Sequence, residues 1–510
     1  MKDLVLAIDI GTGSARAALV EKSGRIIEII QQEHDQITPK TGWSEQKPSS
    51  WWQGAQTCVK QLLTLHKEKV SNIAVVSVCG QMHGTVLLDK NGELADDRAI
   101  LWNDKRPESL VEDFTNQFDV AALVSVVNNP PTTAWPAFKL SWVQHNQPDV
   151  WSRVHTVLMP KDFINFKLTG NVATDYSEAS CFYLMDQASR QYDADMLKRF
   201  NIPASILPPI FLATDVIGQV SEQASQDTLI PQGVPVIAGT SDMAATLLGS
   251  GVYRSGQASD STGTSTLITV VSEKPTADLL LNNLHLANPA WGTFSILDAG
   301  GDAMRWARLA LQENNIGYAD LVAKAKASPV GSNSLLFLPY LTGERNSETN
   351  NSRAQFFGLS RKHRLGDMFR SVMEGVAFAA KKNLDSMVKQ IGNVEQMIAS
   401  GGGAKDEFWL QIKASAYNVP IVKTDVEENG VLGCAMLGGV GVGLFDSVEQ
   451  AAKRVVTFDK EILPIPEWVD HYQAMFEVYD DLYTSSQRFY NRLDQLDSLA
   501  EKLNKDVQHG

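Results

Sequence analysis

The sequence predicts an α/β protein built of two similar domains. Three observations carry that prediction. The chain has 510 residues, more than one ordinary hydrophobic core holds. A glycine and hydroxyl-rich turn between two β-rich runs occurs twice, at Gly11-Thr12-Gly13-Ser14 and at Gly263-Thr264-Ser265. In both halves, apolar runs end in small polar residues and are followed by helical patterns, as in sheets buried on both faces.

The first element is the run Val5-Leu6-Ala7-Ile8, which leads through Asp9 into the first turn. The chain continues along Ala17-Ala18-Leu19-Val20, turns at Lys22-Ser23-Gly24 and resumes at residues 26–30, a three-stranded antiparallel opening. A helix is expected after Pro48, from Trp51 to about His66. Two buried strands follow, at 73–78 and 234–239, ending at Cys79-Gly80 and Thr240-Ser241-Asp242. Ligands of such sheets sit at the carboxyl ends of strands. Asp9, Gln81, Met82, His83 and Asp242 are therefore expected to converge.

The second half repeats this layout. It opens on a hairpin near 256–271, continues with helices at 303–312 and 365–390, and places Gly401-Gly402-Gly403 after a strand at 396–400. The expected domains are 1–248 and 249–485. Phe489, Leu493, Leu496, Leu499 and Leu503 recur every three or four residues, so 486–510 should form an amphipathic helix lying on its own domain.

The composition is that of an ordinary globular protein, with 44% hydrophobic and 20% charged residues. A formal net charge of −14 argues against general nucleic-acid binding. Four scattered cysteines show neither metal-ligand spacing nor a disulfide framework. They are expected to be small core residues of a reducing compartment. The N-terminal apolar run is too short for a signal peptide or membrane span. A cytoplasmic protein without membrane or nucleic-acid partners is expected.

The two turns suit an anion. Glycine lets backbone approach closely, and successive amides and hydroxyls form a nest for phosphate oxygens. Two of them suggest two domains holding a nucleotide phosphate chain between them. Asp9, beside the first turn, is a candidate ligand of magnesium, which takes one or two carboxylates alongside waters and phosphates. The alternative is a turn carboxylate. Asp242, between a strand and a helix, is the candidate base, its alternative being a helix cap. Trp102 and Asp104 suit a polyhydroxylated ligand, with an indole face for C–H groups and polar groups for hydroxyls. Gly301, Gly402 and Gly403 offer bare backbone to a nucleotide.

These residues resemble the FGGY family of carbohydrate kinases over nearly the whole chain, from Asp9 to about Phe445. The Asp9-Ile10-Gly11-Thr12 opening, Gly263-Thr264-Ser265 and Gly401-Gly402-Gly403 are similar to family-wide motifs. Residues 354–359 with Asp367, Met368 and 371–374 resemble the C-terminal signature, and residues 136–142 the N-terminal one. Residues 42–46, Trp51-Trp52, 80–84, 100–104 and 160–162 are most similar to the branch that phosphorylates xylulose. The resemblance implies two actin-like, ribonuclease-H-like domains with the active site in the cleft between them, and ATP and Mg2+ as cofactors. It implies that Met82 and His83 touch the sugar and that Asp242 is the base. Thr12, Gly13, Ser14 and Arg16 would face ATP phosphates, with Gly263 and Thr264 opposite. Gly301, Gly402 and Asp406 would lie along the nucleotide. Two positions depart from that branch: Met243 stands where asparagine is usual, and 428–434 strays from an alanine-rich pattern. The expected reaction is phosphorylation of D-xylulose. The alternatives are another polyol, a sugar acid or a signalling carbohydrate, or a nucleotide-driven switch without sugar chemistry. A homodimer is carried as an open expectation.

Overall fold

The computed structural model describes residues 2–312, 316–344, 350–424 and 428–509. It divides into two compact units, each built around a mixed sheet. In the first, the strands are β1 (Leu4–Ile10), β2 (Ser14–Glu21), β3 (Ile26–Glu33), β4 (Ile73–Gly80), β5 (Val216–Gln219) and β6 (Pro235–Ile237), in the spatial order β5-β6-β4-β1-β2-β3. In the second they are β7 (Gln257–Thr262), β8 (Thr266–Ser272), β9 (Trp291–Leu297), β10 (Gln396–Ser400), β11 (Ile421–Thr424) and β12 (Phe458–Ile462), running β12-β11-β10-β7-β8-β9. These six strands follow the same order in both sheets; the seventh members, Thr240–Ser241 beside β4 and Asn282–His285 beside β9, do not correspond. In each, a central strand pairs antiparallel with its hairpin partner and parallel with a strand from later in the chain.

The alternation of β1 explains why its sheet is covered on both faces. Leu6, Ile8 and Ile10 point into a core shared with Trp51, Ala55, Cys58 and Leu62 of the helix Pro48–Leu65. Val5 and Ala7 point the other way, into a core with Val431, Leu432 and Cys434. A large apolar side chain buried in such a core contributes roughly 1.5–3 kcal/mol. Asp9 continues the second row. A carboxylate therefore follows two apolar residues toward the start of the helix Asn429–Gly441, where Gly430 lies beside it.

That helix shows how the units depart from the expected boundary near 248. Residues 271–293 and 425–457 belong to the first unit, although they come late in the chain. The reason is packing. The helix Asn429–Gly441 crosses the helix Asp242–Gly249 so closely that a side chain at Gly249 would stand 1.8 Å from the carbonyl oxygen of Asn429. One at Gly433 would stand 1.9 Å from that of Ala245. Only glycine permits this crossing.

The C-terminal helix is longer than expected, Pro466–His509. Tyr472, Tyr479, Tyr483 and Tyr490 bury one of its faces, and Tyr472 hydrogen-bonds Glu374 at 2.8 Å. Glu374 also pairs with Arg370 at 2.7 Å. The C-terminal signature thus supplies staples of the second unit. The leucine stripe does not pack on that unit as expected: Phe489, Leu493, Leu496 and Leu499 are all exposed. The tyrosines and the Arg353–Asp494 pair occupy a different side of the same helix. Among the described residues no helix is long and apolar enough to cross a membrane. All four cysteines are buried and free.

Candidate active site

The first unit brings Asp9 and Asp242 into electrostatic contact through β4. Asp9 stands opposite Cys79 on one side of that strand, and Thr240 stands opposite Cys79 on the other. Asp242 follows two residues later, as the first residue of its helix, and Ser241 caps that helix by accepting from the amide of Ala244 at 3.3 Å. Burial pushes the Asp242 carboxyl up to about 7, the negative charge of Asp9 adds to it, and the Met243 amide, donating at 2.7 Å, pulls it back. Asp9 is raised to about 6 by burial, against the opposing charge of Arg16 and the thiol of Cys79. Its Oδ1 is buried with no hydrogen-bond partner. Arg16 pairs with Glu428 at 2.7 Å, both partly exposed.

The loop after β4 presents Met82 and His83. His83 adopts a left-handed backbone, with φ 64°. That conformation costs a residue other than glycine roughly 1–2 kcal/mol. The amine of Lys139, which burial holds well below the usual lysine range, donates to the His83 carbonyl at 2.7 Å, and a hydrogen bond worth about 0.5–1.5 kcal/mol net offsets part of the strain. The His83 ring packs edge-on against Trp135, with centroids 5.0 Å apart. Burial, and then the Lys139 charge, hold its imidazole well below the usual range, so it is neutral at pH 7.

Two of the expected sugar contacts have partners within the protein. Gln81 faces inward, 1% exposed, with both ends of its amide occupied: it donates to Gln46 at 2.8 Å and accepts from Thr12 at 3.2 Å. Asp104 is fully buried, and its two oxygens accept from the Ser44 amide and from Arg106. Both residues shape the site from behind. Trp102 is exposed, and its indole donates to Thr12 at 3.2 Å. The Thr12 hydroxyl is thus spent on Trp102 and Gln81. Ser14 is a buried strand residue, whereas Gly13 is exposed with open space above it.

Sequence reasoning missed the layer beneath Asp242. Lys161 is fully buried, in contact with Asp162 and 3.0 Å from Asp175. Asp175 in turn accepts from the Thr240 hydroxyl at 2.9 Å, and Ser177 bonds Ser241 at 2.7 Å. Glu178 lies in the same cluster with neither carboxyl oxygen hydrogen-bonded, and burial raises it well above the carboxylate range. The strand-end pattern marked Asp242 but carried no sign of these partners, which are 64 or more residues away.

The second unit holds a cavity of about 540 Å³. Gly263, Gly301, Gly402, Gly403, Tyr318, Lys405, Asp406 and Trp409 line it. Its glycines divide into two kinds. Gly263 and Gly402 have open space where a side chain would stand. Gly301 and Gly403 are glycines because side chains there would meet the Gly263 carbonyl and Thr262, each at 2.7 Å. The amide of Gly301 donates to the Gly263 carbonyl at 2.8 Å. Asp406 caps the helix Glu407–Tyr417, accepting from the amides of Phe408 and Trp409. Thr264 is exposed at the tip of the second turn.

This constellation matches a known family along most of its length. The N-terminal domain of the FGGY family of carbohydrate kinases matches residues 4–249, and the C-terminal domain residues 258–442. The chain belongs to the FGGY family of carbohydrate kinases. It is a sugar phosphotransferase with the family's two-domain, actin-like fold. Among its relatives, the xylulose kinase of Bacillus subtilis is 29% identical over 488 residues, 95% of this chain and 97% of the relative. The crystal structure of a xylulose kinase from Rhodospirillum rubrum superposes with a TM-score of 0.91 at 27% identity, covering 96% of this chain and all of that one. A gluconate kinase from Lactobacillus acidophilus superposes with a TM-score of 0.90 at 26% identity, covering 96% of this chain and 100% of that one. Among the described residues of this FGGY kinase, no group of three or more histidine, cysteine or acidic side chains is arranged to hold a metal ion.

Proposed function

We propose that this FGGY kinase transfers the γ-phosphoryl group of ATP to a hydroxyl of a small sugar, with O5 of D-xylulose as the acceptor. The observation that carries the reading is Asp242, a carboxylate at a strand end whose pKa lies close to neutral. A base of that strength takes a proton from an attacking hydroxyl near pH 7. Met82, His83 and Trp102 would meet the sugar, and neutral His83 suits a hydroxyl. The cavity of the second unit would take the nucleotide, with the open backbone of Gly263 and Gly402 against it.

Asp9 fits a magnesium ion held mainly by phosphates and waters, because one carboxylate with a buried oxygen lacking a partner is the contribution such an ion needs. The bound ion would neutralise charge on the transferred phosphoryl group. Before the ion binds, the charge of Asp9 raises Asp242; a bound divalent ion would offset that effect. Gly13 and Thr264 would supply donors to phosphate oxygens. Phosphoryl transfer depends mostly on such positioning and electrostatics.

A sugar acid as acceptor is the second reading. It is favoured by Met243, which stands beside the base where relatives acting on xylulose usually carry asparagine, and by the likeness to a gluconate kinase. ADP release from Mg-ATP with D-xylulose, ribulose, glycerol, gluconate and no sugar decides between them. Strong dependence on D-xylulose is expected. Dependence on gluconate alone would move the substrate and keep the mechanism. Substantial release in the blank, with no phosphorylated product, would sink the kinase reading. Asp242→Asn should lower turnover by about a hundred- to ten-thousandfold with sugar binding retained.

A further inference from the structure

The two sheets share six strands in one order, but the residues behind their glycine turns differ. Aligning Gly11-Thr12 with Gly263-Thr264 sets Ser261 at the position of Asp9. Its neighbour Asp260 is 1% exposed, and the equally buried Lys413, from the helix Glu407–Tyr417, meets both of its oxygens at 2.8 Å. The same ammonium donates to the Thr262 hydroxyl at 2.6 Å, and Thr262 donates onward to Asp260 at 2.5 Å. Tyr417 donates to the second oxygen of Asp260 at 2.9 Å. Lys413 also lies over the Trp409 ring, 4.8 Å from its centroid, and Trp409 lines the cavity.

Thr262 is where this network meets ligand-facing backbone. It directly precedes Gly263. A side chain at Gly401 would stand 2.6 Å from its carbonyl oxygen, and one at Gly403 would stand 2.7 Å from its Cβ. The second turn and the triple-glycine turn are therefore both laid against one threonine. Lys413 can only donate, so the Thr262 hydroxyl accepts from it and keeps its own proton for Asp260, its nearer acceptor at 2.5 Å, with the Thr266 hydroxyl 3.3 Å away.

We propose that Lys413 is a positioning residue for the nucleotide, fixing Thr262 so that Gly263 and Gly402 present their backbone at the separation a nucleoside diphosphate requires. This rests on reading the cavity as the nucleotide site. Lys413 acts as a tethered internal cation, holding a loop in place without touching the ligand.

The test is calorimetric titration of ADP into the full chain, with acceptor kinetics alongside. Thr262→Val removes the hydroxyl and leaves the Lys413–Asp260 pair intact. It should weaken ADP binding at least tenfold and raise KM for ATP, with KM for the acceptor unchanged. Thr262→Ser should restore binding to within threefold. Removing both buried charges together, Lys413→Met with Asp260→Leu, leaves no unpaired ion and should give a folded protein with the same tenfold defect. ADP binding within twofold of the parent in Thr262→Val, or in the folded double variant, overturns the proposal. Gly402→Leu, which fills the cavity, should abolish binding. ADP binding that survives Gly402→Leu overturns the nucleotide reading of the cavity, and the positioning role with it. Binding sensitive to Gly402→Leu but indifferent to Thr262→Val overturns the positioning role alone.

Discussion

Asp242 works against the stability of the unit that holds it. Its carboxyl is raised from 3.8 to about 7 in the folded protein, so the native state holds the proton more tightly than the unfolded chain does. The stabilisation from that proton is fully present below about pH 4 and is lost as the pH rises through about 7. A shift of this size at about 1.36 kcal/mol per unit, discounted for partial exposure, leaves on the order of 1–2 kcal/mol. Asp242→Asn should therefore raise the melting temperature at pH 8, and the gain should vanish toward pH 4. An unchanged melting temperature at pH 8 would mean that Asp242 is solvated and is no tuned base. The position of Asp242 was legible in the sequence, because a buried strand ending in Thr240-Ser241 announces a ligand-facing end. The inward turn of Gln81 and Asp104 was not. A polar residue at a strand end looks the same whether it meets a ligand or a partner such as Gln46 or Arg106, and those partners come from other elements.

The crossing of the Asp242–Gly249 and Asn429–Gly441 helices sets where the base stands, because it fixes the helix that Asp242 begins. Gly433→Ala would force a methyl group to within 1.9 Å of a backbone oxygen. Overpacking against backbone cannot be relieved by a rotamer change, so a loss of about 3 kcal/mol or more is expected, read by thermal or denaturant unfolding. Gly402→Ala meets open space and should change stability by less than about 0.5 kcal/mol, while raising KM for ATP. Equal stability losses in the two variants would contradict the division of the glycines into packing and ligand-facing kinds. Sequence pattern located the strands β1, β2, β4 and β10 nearly to the residue, because alternation and glycine ends are local signals. The membership of Asn429–Gly441 in the first unit was not legible. A helix that is apolar all round is recognisably buried, but its sequence says nothing about which sheet buries it.

At the scale of the molecule, the first unit is sewn from separated stretches of chain: Met1–Ser255, Val271–Thr293 and 425–457. Val431, Leu432 and Cys434 complete the cover over the residues of β1 and β4 that face them, beside Ala213, Ala245 and Leu248 from the first stretch. A fragment ending at residue 255 should therefore be insoluble, or should bind a hydrophobic dye strongly, despite containing all of the first family domain. A soluble, cooperatively melting fragment would show that the late helix is dispensable. The same discontinuity constrains biosynthesis. When Ser255 leaves the ribosome, about 200 residues remain to be made before the covering helix is free, roughly 10–40 s at 5–20 residues per second. Through that interval one apolar face of the nascent sheet is only partly covered. How long that face stays open depends on the rate of translation, and not on the N-terminal sequence alone.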